Sequence, residues 1–588
     1  MASTFESTKN MGQAPAEPAQ TSKPVSAAPS SASLIQPEQR ELFDAVFALF
    51  KKSWQENLDR DAVEGQPHGK RLVRLVRATL QQRNLYPESW RVQFVRQLKT
   101  LHSLTGYRDV RTLLFDWLRR RELVPAQTDI FVYSSQHVRR HLLRLAQAEA
   151  SGVPAITTIK KDDAGVVILT VDNTDTVDRD DALSLRRLSG GFEIGVHIPL
   201  LQDLVPKEST WDLWAKAMAV SVYMPHRHIP MLPVQVAEQA GLNAGTVRPV
   251  LSFYFSQEED RTPQFERVCR ESITITHNAD YDQVSQWFAA AALQEKMVGK
   301  WKVKESRNRP SEYQTAVQVW WEGAQRLEQK RTRAGGRAFD REQVDIKVQV
   351  DGRVRIHRYS QAEPSHKMIS EWMIAANHAA AHFCAKHHLP CLYRVQEAGS
   401  PRTEDEGPDS APNFVRPQIN LTMAPHRDLG IEGYTQVTSP LRRYTDLMMQ
   451  RQMGSFLEKG SAVYSPQELQ AYGVAAEEAL RRIGKLEARA EFYYKCMYLH
   501  QNLGEELAAE ICHSPPPWRS VVLMLPELNL RLFVPLSGIR GLGARQIPPA
   551  DAPLPVTAVC LEIDPDRGTM SFEIKRKVHR TSGPRRRP

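Results

Sequence analysis

Apolar positions recur with a helical period through the first part of the chain and with mixed periods after it. In "QRELFDAVFALFKKSW" Leu42, Val46 and Leu49 share one face, and in "KRLVRLVRATLQQR" the stripe Leu72, Leu75 and Val76 alternates with Arg71, Arg74 and Arg77. "RDVRTLLFDWLRRREL" and "SSQHVRRHLLRLAQAEASG" repeat this texture, the latter stopping near Gly152 and Pro154. A helical domain is therefore predicted over residues 39–152. Beyond it "GVVILTVD", "EIGVHIPLL" and "VLSFYFSQ" read as strands, whereas "SHKMISEWMIAANHAAAHFCAKHH" and "AAEEALRRIGKLEARAEFYYKCMYLHQNL" read as long helices, giving a mixed domain over 153–505. Residues 506–575 change to short strands separated by turns, the texture of a small barrel. Residues 1–38 are rich in Ala, Ser, Pro, Thr and Gln, too poor in apolar anchors to offset ordering entropy, and are expected to be disordered; 576–588 form a basic, unstructured tail. The expected fold class is α+β, with a mixed domain between a helical region and a barrel.

At 588 residues the chain exceeds one ordinary core, in keeping with several folding units. Lysine and arginine number 77 against 68 aspartates and glutamates, a net charge of +9. That excess is compatible with a polyanionic partner and does not identify one. Arginine-bearing helix faces suit nucleic acid, but a solvated basic face is the commoner outcome. The six cysteines show no CxxC pair and no metal-ligand spacing, so they read as reduced thiols. No apolar run is long enough to span a bilayer. The first residues lack the basic start and apolar centre of a secretory signal, and Glu6, Glu17 and Glu38 before the first arginine, Arg40, argue against a transit peptide. A cytoplasmic protein without a membrane partner is expected.

The segment "VDNTDTVDRDDALSL" sets Asp172, Asp175, Asp178, Asp180 and Asp181 close together. Carboxylates so crowded repel one another unless a cation holds them ionised. A calcium loop starting at Asp172 would need Gly and Glu where Val177 and Leu183 stand. Magnesium needs only a few carboxylates, completed by water and substrate phosphate, and two such ions about 4 Å apart clamp an in-line phosphoryl displacement. The stretch alone leaves a magnesium site and a solvated acidic turn both open.

Other segments narrow the choice. The acidic cluster resembles the opening motif of the ribonuclease II catalytic domain, the RNB domain, and "GVHIP" (195–199), "SVYMPHRHIPMLP" with "GLNAGTVRPVLSF" (221–253), "ISEWMIAANHAAAHF" (369–383), "PCLYRVQ" and "QVTSPLRRYTDLMMQR" (436–451) resemble further motifs in family order. The resemblance implies a magnesium-dependent, processive 3′-to-5′ exoribonuclease that degrades single-stranded RNA to 5′-mononucleotides. It implies a two-ion site, with manganese as an alternative metal. Asp172, Asp178, Asp180 and Asp181 match the four acidic residues that hold metal, Asp180 among the catalytic residues, and Tyr223 matches an aromatic that stacks on a base. Arg442 matches the catalytic arginine, which also touches RNA, and Glu487 a glutamate of the late helix, counted among both the catalytic and the RNA-binding residues, with Glu491 as its competitor. No obligate protein partner is implied, and a monomer is expected. Family members usually begin with cold-shock barrels. The helical start here resembles variants with a helix-turn-helix type region, and the last domain resembles an S1-type OB-fold with Trp518 and Phe533 as its nearest aromatic candidates.

Independent physical logic bears on some of these residues. Ser439 is expected to cap a helix starting at Pro440, placing Arg442 in its first turn, where free N–H groups favour an anion. Arg443 is the candidate partner of Asp446. Tyr223, beside Val222 and Met224, could equally be a core residue. His378 and His382 lack the intervening Glu of a zinc motif and are expected on one polar face of a packed helix, with His387 and His388 at its C-terminal end. Two departures stand out: Pro199 and Leu200 replace the end of the family's HIAD segment, and Gln450 stands where a histidine is frequent. The rival readings are a catalytically silent RNB-fold regulator that binds RNA and a metal-dependent DNA nuclease.

Overall fold

The computed structural model describes residues 35–81, 85–105, 109–125, 127–148, 166–174, 176–258, 260–288, 311–338, 342–396, 416–513, 520–542, 547 and 553–575. The predicted disordered segment up to residue 34, the basic tail, Asp175 and Trp518 lie outside them.

Helices Pro37–Gln55, Arg60–Glu64, Gly69–Leu80, Glu88–Thr105 and Val110–Arg120 enclose one apolar cluster. The predicted stripes face it: Val46, Leu72, Leu75 and Val76 are buried. Trp117 sits at its centre and donates from its indole N–H to Ser53 Oγ (3.0 Å). Arg77, read from sequence as part of a basic face, turns inward to the Leu123 carbonyl (2.6 Å), while Arg71 and Arg74 remain exposed. Two further helices, Ile130–Ser134 and Gln136–Ala148, contribute Phe131 and Val138 to the larger cluster of the mixed unit instead.

That unit is built on a six-stranded sheet. Its strands are β1 (Val167–Asp172), β2 (Ala182–Leu188), β3 (Gly191–Pro199), β6 (Val247–Gln257), β7 (Gln264–Thr274) and β8 (His277–Asp280), in the spatial order β7-β6-β3-β2-β1-β8. A two-stranded hairpin, β4 (Val222–Met224) and β5 (Arg227–Ile229), lies outside it. All ladders of the large sheet are antiparallel except β1 with β8. The two-residue period of β1 serves both faces: Leu169 and Val171 join the main core, and Ile168 joins a smaller cluster with Leu242, Val250 and Ile273. Helices Glu312–Arg333 and Pro364–Lys386 cover the main face. Trp320 donates from its indole to the Ser184 carbonyl (3.2 Å), and Trp372 to the Trp320 carbonyl (2.9 Å). A side chain at Gly323 would meet Trp372 at 2.6 Å, so close approach of these helices requires glycine there.

Helix Tyr444–Lys459 and the long helix Pro466–Gln501 complete the unit, the latter started by a capping box between Ser465 and Glu468. Its last turns bury Cys496 and Leu499 in the core of a second six-stranded sheet. That sheet runs Leu530–Pro535, Ser520–Leu525, Glu506–His513, Leu554–Ile563, Met570–Lys575 and Ile539–Arg540 in spatial order. Phe533 is half-buried, on the strand face opposite buried Leu532 and Val534. All six cysteines are free thiols, and no described helix is long and apolar enough to cross a membrane.

Candidate active site

Three stretches far apart in sequence meet at the end of β1. Asp172 is its last residue, and the loop from there to Ala182 carries Asp178, Asp180 and Asp181. The hairpin β4–β5 brings Tyr223, and the turn before helix Tyr444–Lys459 brings Arg442. The Asp180 carboxylate is buried. Its Oδ1 accepts from the Leu441 backbone N–H (3.0 Å), and Oδ2 lies 3.3 Å from Arg442 Nε. Tyr223 donates from its hydroxyl to Asp178 Oδ2 (2.9 Å), and its backbone N–H donates to Glu487 Oε1 (2.8 Å). Of the seven residues singled out from the sequence, Asp178, Tyr223 and Glu487 are joined by hydrogen bonds, Asp180 pairs with Arg442, and Asp172 and Asp181 are their electrostatic neighbours. Glu491, the competitor of Glu487, lies one turn further along the same helix and pairs with Lys495 (2.5 Å).

Tyr223 is 46% exposed, so it is not a core tyrosine. Its ring stacks on His228 at 4.6 Å with 12° between planes, which fixes one face and leaves the ring a flat platform. Glu487 explains why the hairpin holds this position: a carboxylate on the long helix accepts the strand's N–H. Burial pushes the Glu487 carboxyl up, and the Tyr223 N–H partly offsets this.

The aspartates are electrostatically stressed. Burial, with Asp181 and Asp178 close by, pushes Asp172 up to about 7, against a lowering contribution from Arg179. Burial pushes Asp181 up to about 6 despite Arg442 and Arg443, and pushes Asp180 well above the usual carboxylate range despite Arg442. Burial acts against the Arg442 charge, yet the surrounding carboxylates, Asp180 first, outweigh it and hold the guanidinium above its ordinary value. Two buried oxygens, Asp172 Oδ2 and Asp180 Oδ2, receive no hydrogen bond. Each lies within ion-pair distance of an arginine Nε, Arg179 at 3.8 Å and Arg442 at 3.3 Å, but neither N–H is aligned on it. Unsatisfied anionic oxygens in a desolvated pocket are the donor chemistry a hard cation takes. Among the described residues no three His, Cys, Asp or Glu side chains converge into a cage by themselves.

The turn carrying Arg442 departs from expectation. Ser439 does not cap a helix starting at Pro440; the helix begins at Tyr444, with Arg443 at the N-cap position. The reason is tertiary. The Ser221 N–H donates to the Arg442 carbonyl (3.0 Å) and the Tyr444 N–H to the Ala219 carbonyl (2.9 Å), so the single turn closed by the Arg443 N–H on the Ser439 carbonyl (2.9 Å) is bridged to residues 219–221 and does not run on into the helix. Ser439 instead accepts from Arg442 Nη2 on its hydroxyl (2.9 Å). Asp446 takes Arg443 (2.7 Å) and the Ser439 N–H (2.9 Å), as expected for the first of these, and so holds both ends of the turn.

Sequence reasoning passed over three residues of the site. Arg179, inside the acidic run, donates from Nη1 to Asn243 Oδ1 (3.0 Å) and tethers the loop to the "GLN" segment; a lone cation among four carboxylates was its signal. Tyr281, just after β8, is half-buried, and desolvation with Asp181 and Asp172 pushes its phenol up. His228 carried no signal beyond its place in the hairpin. His378, in contrast, is structural as expected: Nδ1 lies 2.8 Å from the Gly433 carbonyl and the ring packs edge-on against His382. The departures from the family pattern leave the site intact. His197 is buried with Nδ1 2.8 Å from Ser252 Oγ, and Gln450 is buried in helix Tyr444–Lys459.

Residues 161–419 and 415–459 match the family model described as RNB domain. The chain belongs to the RNB domain family. It is 24% identical over 348 residues to an uncharacterized ribonuclease of Synechocystis, a match covering 57% of this chain and 49% of that protein. To ribonuclease R of Thermotoga maritima it is 23% identical over 451 residues, covering 67% of this chain and 60% of the relative. The matched stretch therefore spans about half the length of the curated relatives. Among solved structures of the RNB family, the apo form of Mycoplasma genitalium RNase R superimposes with a TM-score of 0.59 at 18% identity, covering 79% of this chain and 78% of that one. An active-site mutant of the Dss1 exoribonuclease from Candida glabrata gives 0.69 at 16% identity, covering 92% and 73%. At these identities the likeness concerns the fold.

Proposed function

We propose that this RNB-family protein is a processive hydrolytic exoribonuclease that degrades single-stranded RNA from its 3′ end to 5′-mononucleotides. The observation that carries the reading is the meeting of Asp178, Asp180, Arg442 and the exposed stacking Tyr223 from three separate segments at the end of β1, beside the electrostatically stressed Asp172 and Asp181. Asp172, Asp178, Asp180 and Asp181 would hold magnesium, two ions being the expected number; such ions supply Lewis-acid stabilisation of the phosphoryl oxygens and a nucleophilic water. The unsatisfied Asp172 and Asp180 oxygens fit that role, and magnesium would complete its shell with water and substrate phosphate. Arg442, tethered by Asp180 and Ser439, places a permanent cation where charge builds on the phosphate in the transition state. Tyr223 stacks on a base near the 3′ end, a contact that tolerates any sequence and so suits a degradative enzyme. The C-terminal sheet is read as an S1-type OB barrel and the N-terminal helices as a helix-turn-helix type region, both serving RNA capture. Free thiols throughout fit a reducing, cytoplasmic setting.

The test uses 5′-labelled RNA and DNA oligomers with magnesium or EDTA, resolved on a sequencing gel. A ladder shrinking from the 3′ end, for RNA only and with magnesium only, supports the reading. Cleavage of DNA would point to a DNA nuclease, and binding without cleavage to a silent RNA-binding regulator. Asp180→Asn should bind RNA and release no mononucleotide; undiminished release would overturn the assignment of that residue.

A further inference from the structure

A second charged site lies away from the aspartates. A cavity of about 540 Å³ opens between helix Gln136–Ala148, helix Val110–Arg120 and the long helix Pro466–Gln501. Six cationic side chains line it: Arg111 from one helix, Arg140 and Arg144 from the second, and Arg482, Lys485 and Arg489 from the third. Only two of them have a carboxylate partner among the described residues, Arg489 with Asp109 (3.1 Å) and Arg482 with Glu478 (2.5 Å). A solvated basic face on one helix would not be remarkable for its charge. Here the cations come from three helices and line a concavity, where their mutual repulsion is a standing cost unless an anion enters.

The N-terminal end of helix Gln136–Ala148 opens into the same space, with Ser135, Gln136 and His137 in its wall, so N–H groups with no intrahelical acceptor add to the positive potential. His137 registers that potential. Burial lowers its pKa, and Arg482, Arg144 and Arg140 lower it further against the raising effect of the Met218 carbonyl. The Arg489 guanidinium is lowered as well, by burial and then by Arg111.

The cavity shares its supports with Tyr223. The same long helix carries Glu487, which holds the Tyr223 N–H, on one side and, two positions before and after it, Lys485 and Arg489 on the opposite side. On the other side His137 Nε2 lies 3.3 Å from the carbonyl of Met218, the last residue of the helix that precedes the hairpin. The helices that support the Tyr223 hairpin thus also build the polycationic cleft. A cleft of this volume, with charges spread along three helices, accommodates more than one phosphate.

We propose that this cleft binds successive phosphates of the RNA backbone, as an anchor outside the catalytic centre; the proposal rests on the exoribonuclease reading. The full chain is titrated with a long single-stranded RNA, by fluorescence anisotropy over a series of salt concentrations, and assayed for hydrolysis of that RNA and of a dinucleotide. Arg140→Gln with Arg144→Gln should weaken binding of the long RNA about tenfold and reduce the slope of log Kd against log salt by about 1.4, that is about 0.7 per lost phosphate contact. Lys485→Gln, on another helix, should reduce the slope by about 0.7. Arg140→Lys with Arg144→Lys, which keeps the charge, should retain the slope, and dinucleotide hydrolysis should be unchanged in every variant. Unaltered affinity and slope in both glutamine variants, while the parent chain binds RNA, would overturn the proposal and leave the exoribonuclease reading standing. A parent chain that binds no RNA overturns both. Inorganic phosphate distinguishes a free anion from a backbone: if it raises Tm of the parent but not of the glutamine variants, and RNA affinity does not change between them, the cleft is a site for free phosphate and the proposal fails.

Discussion

Asp172 and Asp181 place two weakly solvated carboxyls side by side, one pushed up to about 7 and the other to about 6. A carboxyl in the unfolded chain titrates near 3.9, so between about pH 4 and about pH 7 the folded chain binds more protons than the unfolded one. Stability is therefore greatest at the acid end of that window and falls as pH rises through it. In protein stripped of divalent cations, Tm should fall over this range by the equivalent of about 1–3 kcal/mol. Asp172→Asn should flatten the profile, and magnesium should raise Tm at neutral pH more in the parent than in the variant. A flat profile in the parent, followed by calorimetry, would contradict the burial of these charges. Tyr223 separates two roles in the same way. Tyr223→Phe keeps the ring on His228 and loses only the hydroxyl bond to Asp178, so RNA affinity should stay near that of the parent. Tyr223→Ala removes the platform and should cost about 1–3 kcal/mol of binding, read as Kd by anisotropy.

At the scale of the element, the turn 439–443 shows a local signal overruled. Serine followed by proline favours a helix start, and sequence alone places it at Ser439. The Arg443 N–H closes a single turn on the Ser439 carbonyl (2.9 Å), backbone bonds to residues 219–221 keep that turn from running on into the helix, and Asp446 takes over the role of anchor. Asp446 is fully buried and bonded to both Ser439 and Arg443, so Asp446→Ala strands the Arg443 guanidinium and the Ser439 N–H. The expected loss is about 3–5 kcal/mol in urea denaturation, with a drop in activity because Arg442 rides on the same turn. Asp446→Asn, which keeps the acceptor oxygen, should lose less. The amphipathic helices were legible throughout, since a stripe such as Leu72, Leu75 and Val76 buries whatever it packs against. Arg77 was not: its neighbours mark it as surface, and only the Leu123 carbonyl across the bundle turns it inward.

Across the molecule, the N-terminal helices do more than cap one end. Asp129 bonds His226 in the β4–β5 turn (2.8 Å), and His141 Nε2 lies 2.8 Å from the Pro230 carbonyl, so the hairpin that presents Tyr223 is braced by the last two N-terminal helices, which share its core. Burial pushes His141 down to about 4, which keeps it neutral near pH 7. The C-terminal sheet is joined as closely, because the long helix contributes Cys496 and Leu499 to its core. A chain ending after Asn502 should therefore expose Cys496. Its modification by a thiol reagent should accelerate by orders of magnitude, whereas Cys384, buried in the main core, should stay protected. Equal protection of Cys496 in both chains would show that the sheet does not share that core.

The sequence by itself determined the element types, the α+β class and the residues worth testing, because periodicity and motif order are properties of the chain read one residue after another. The stretch Asp172–Asp181 alone left a metal site and an acidic turn open until the other motifs were read beside it, and Glu487 and Glu491 stayed unresolved. Tertiary structure decided the placement of these side chains. Which carboxylate is desolvated, and which glutamate reaches Tyr223, depend on contacts between segments more than 250 positions apart, such as Leu441 with Asp180 and Tyr223 with Glu487. The basic cleft is of the same kind: three unremarkable arginine-bearing helices become a site only because packing turns their charged edges toward one space.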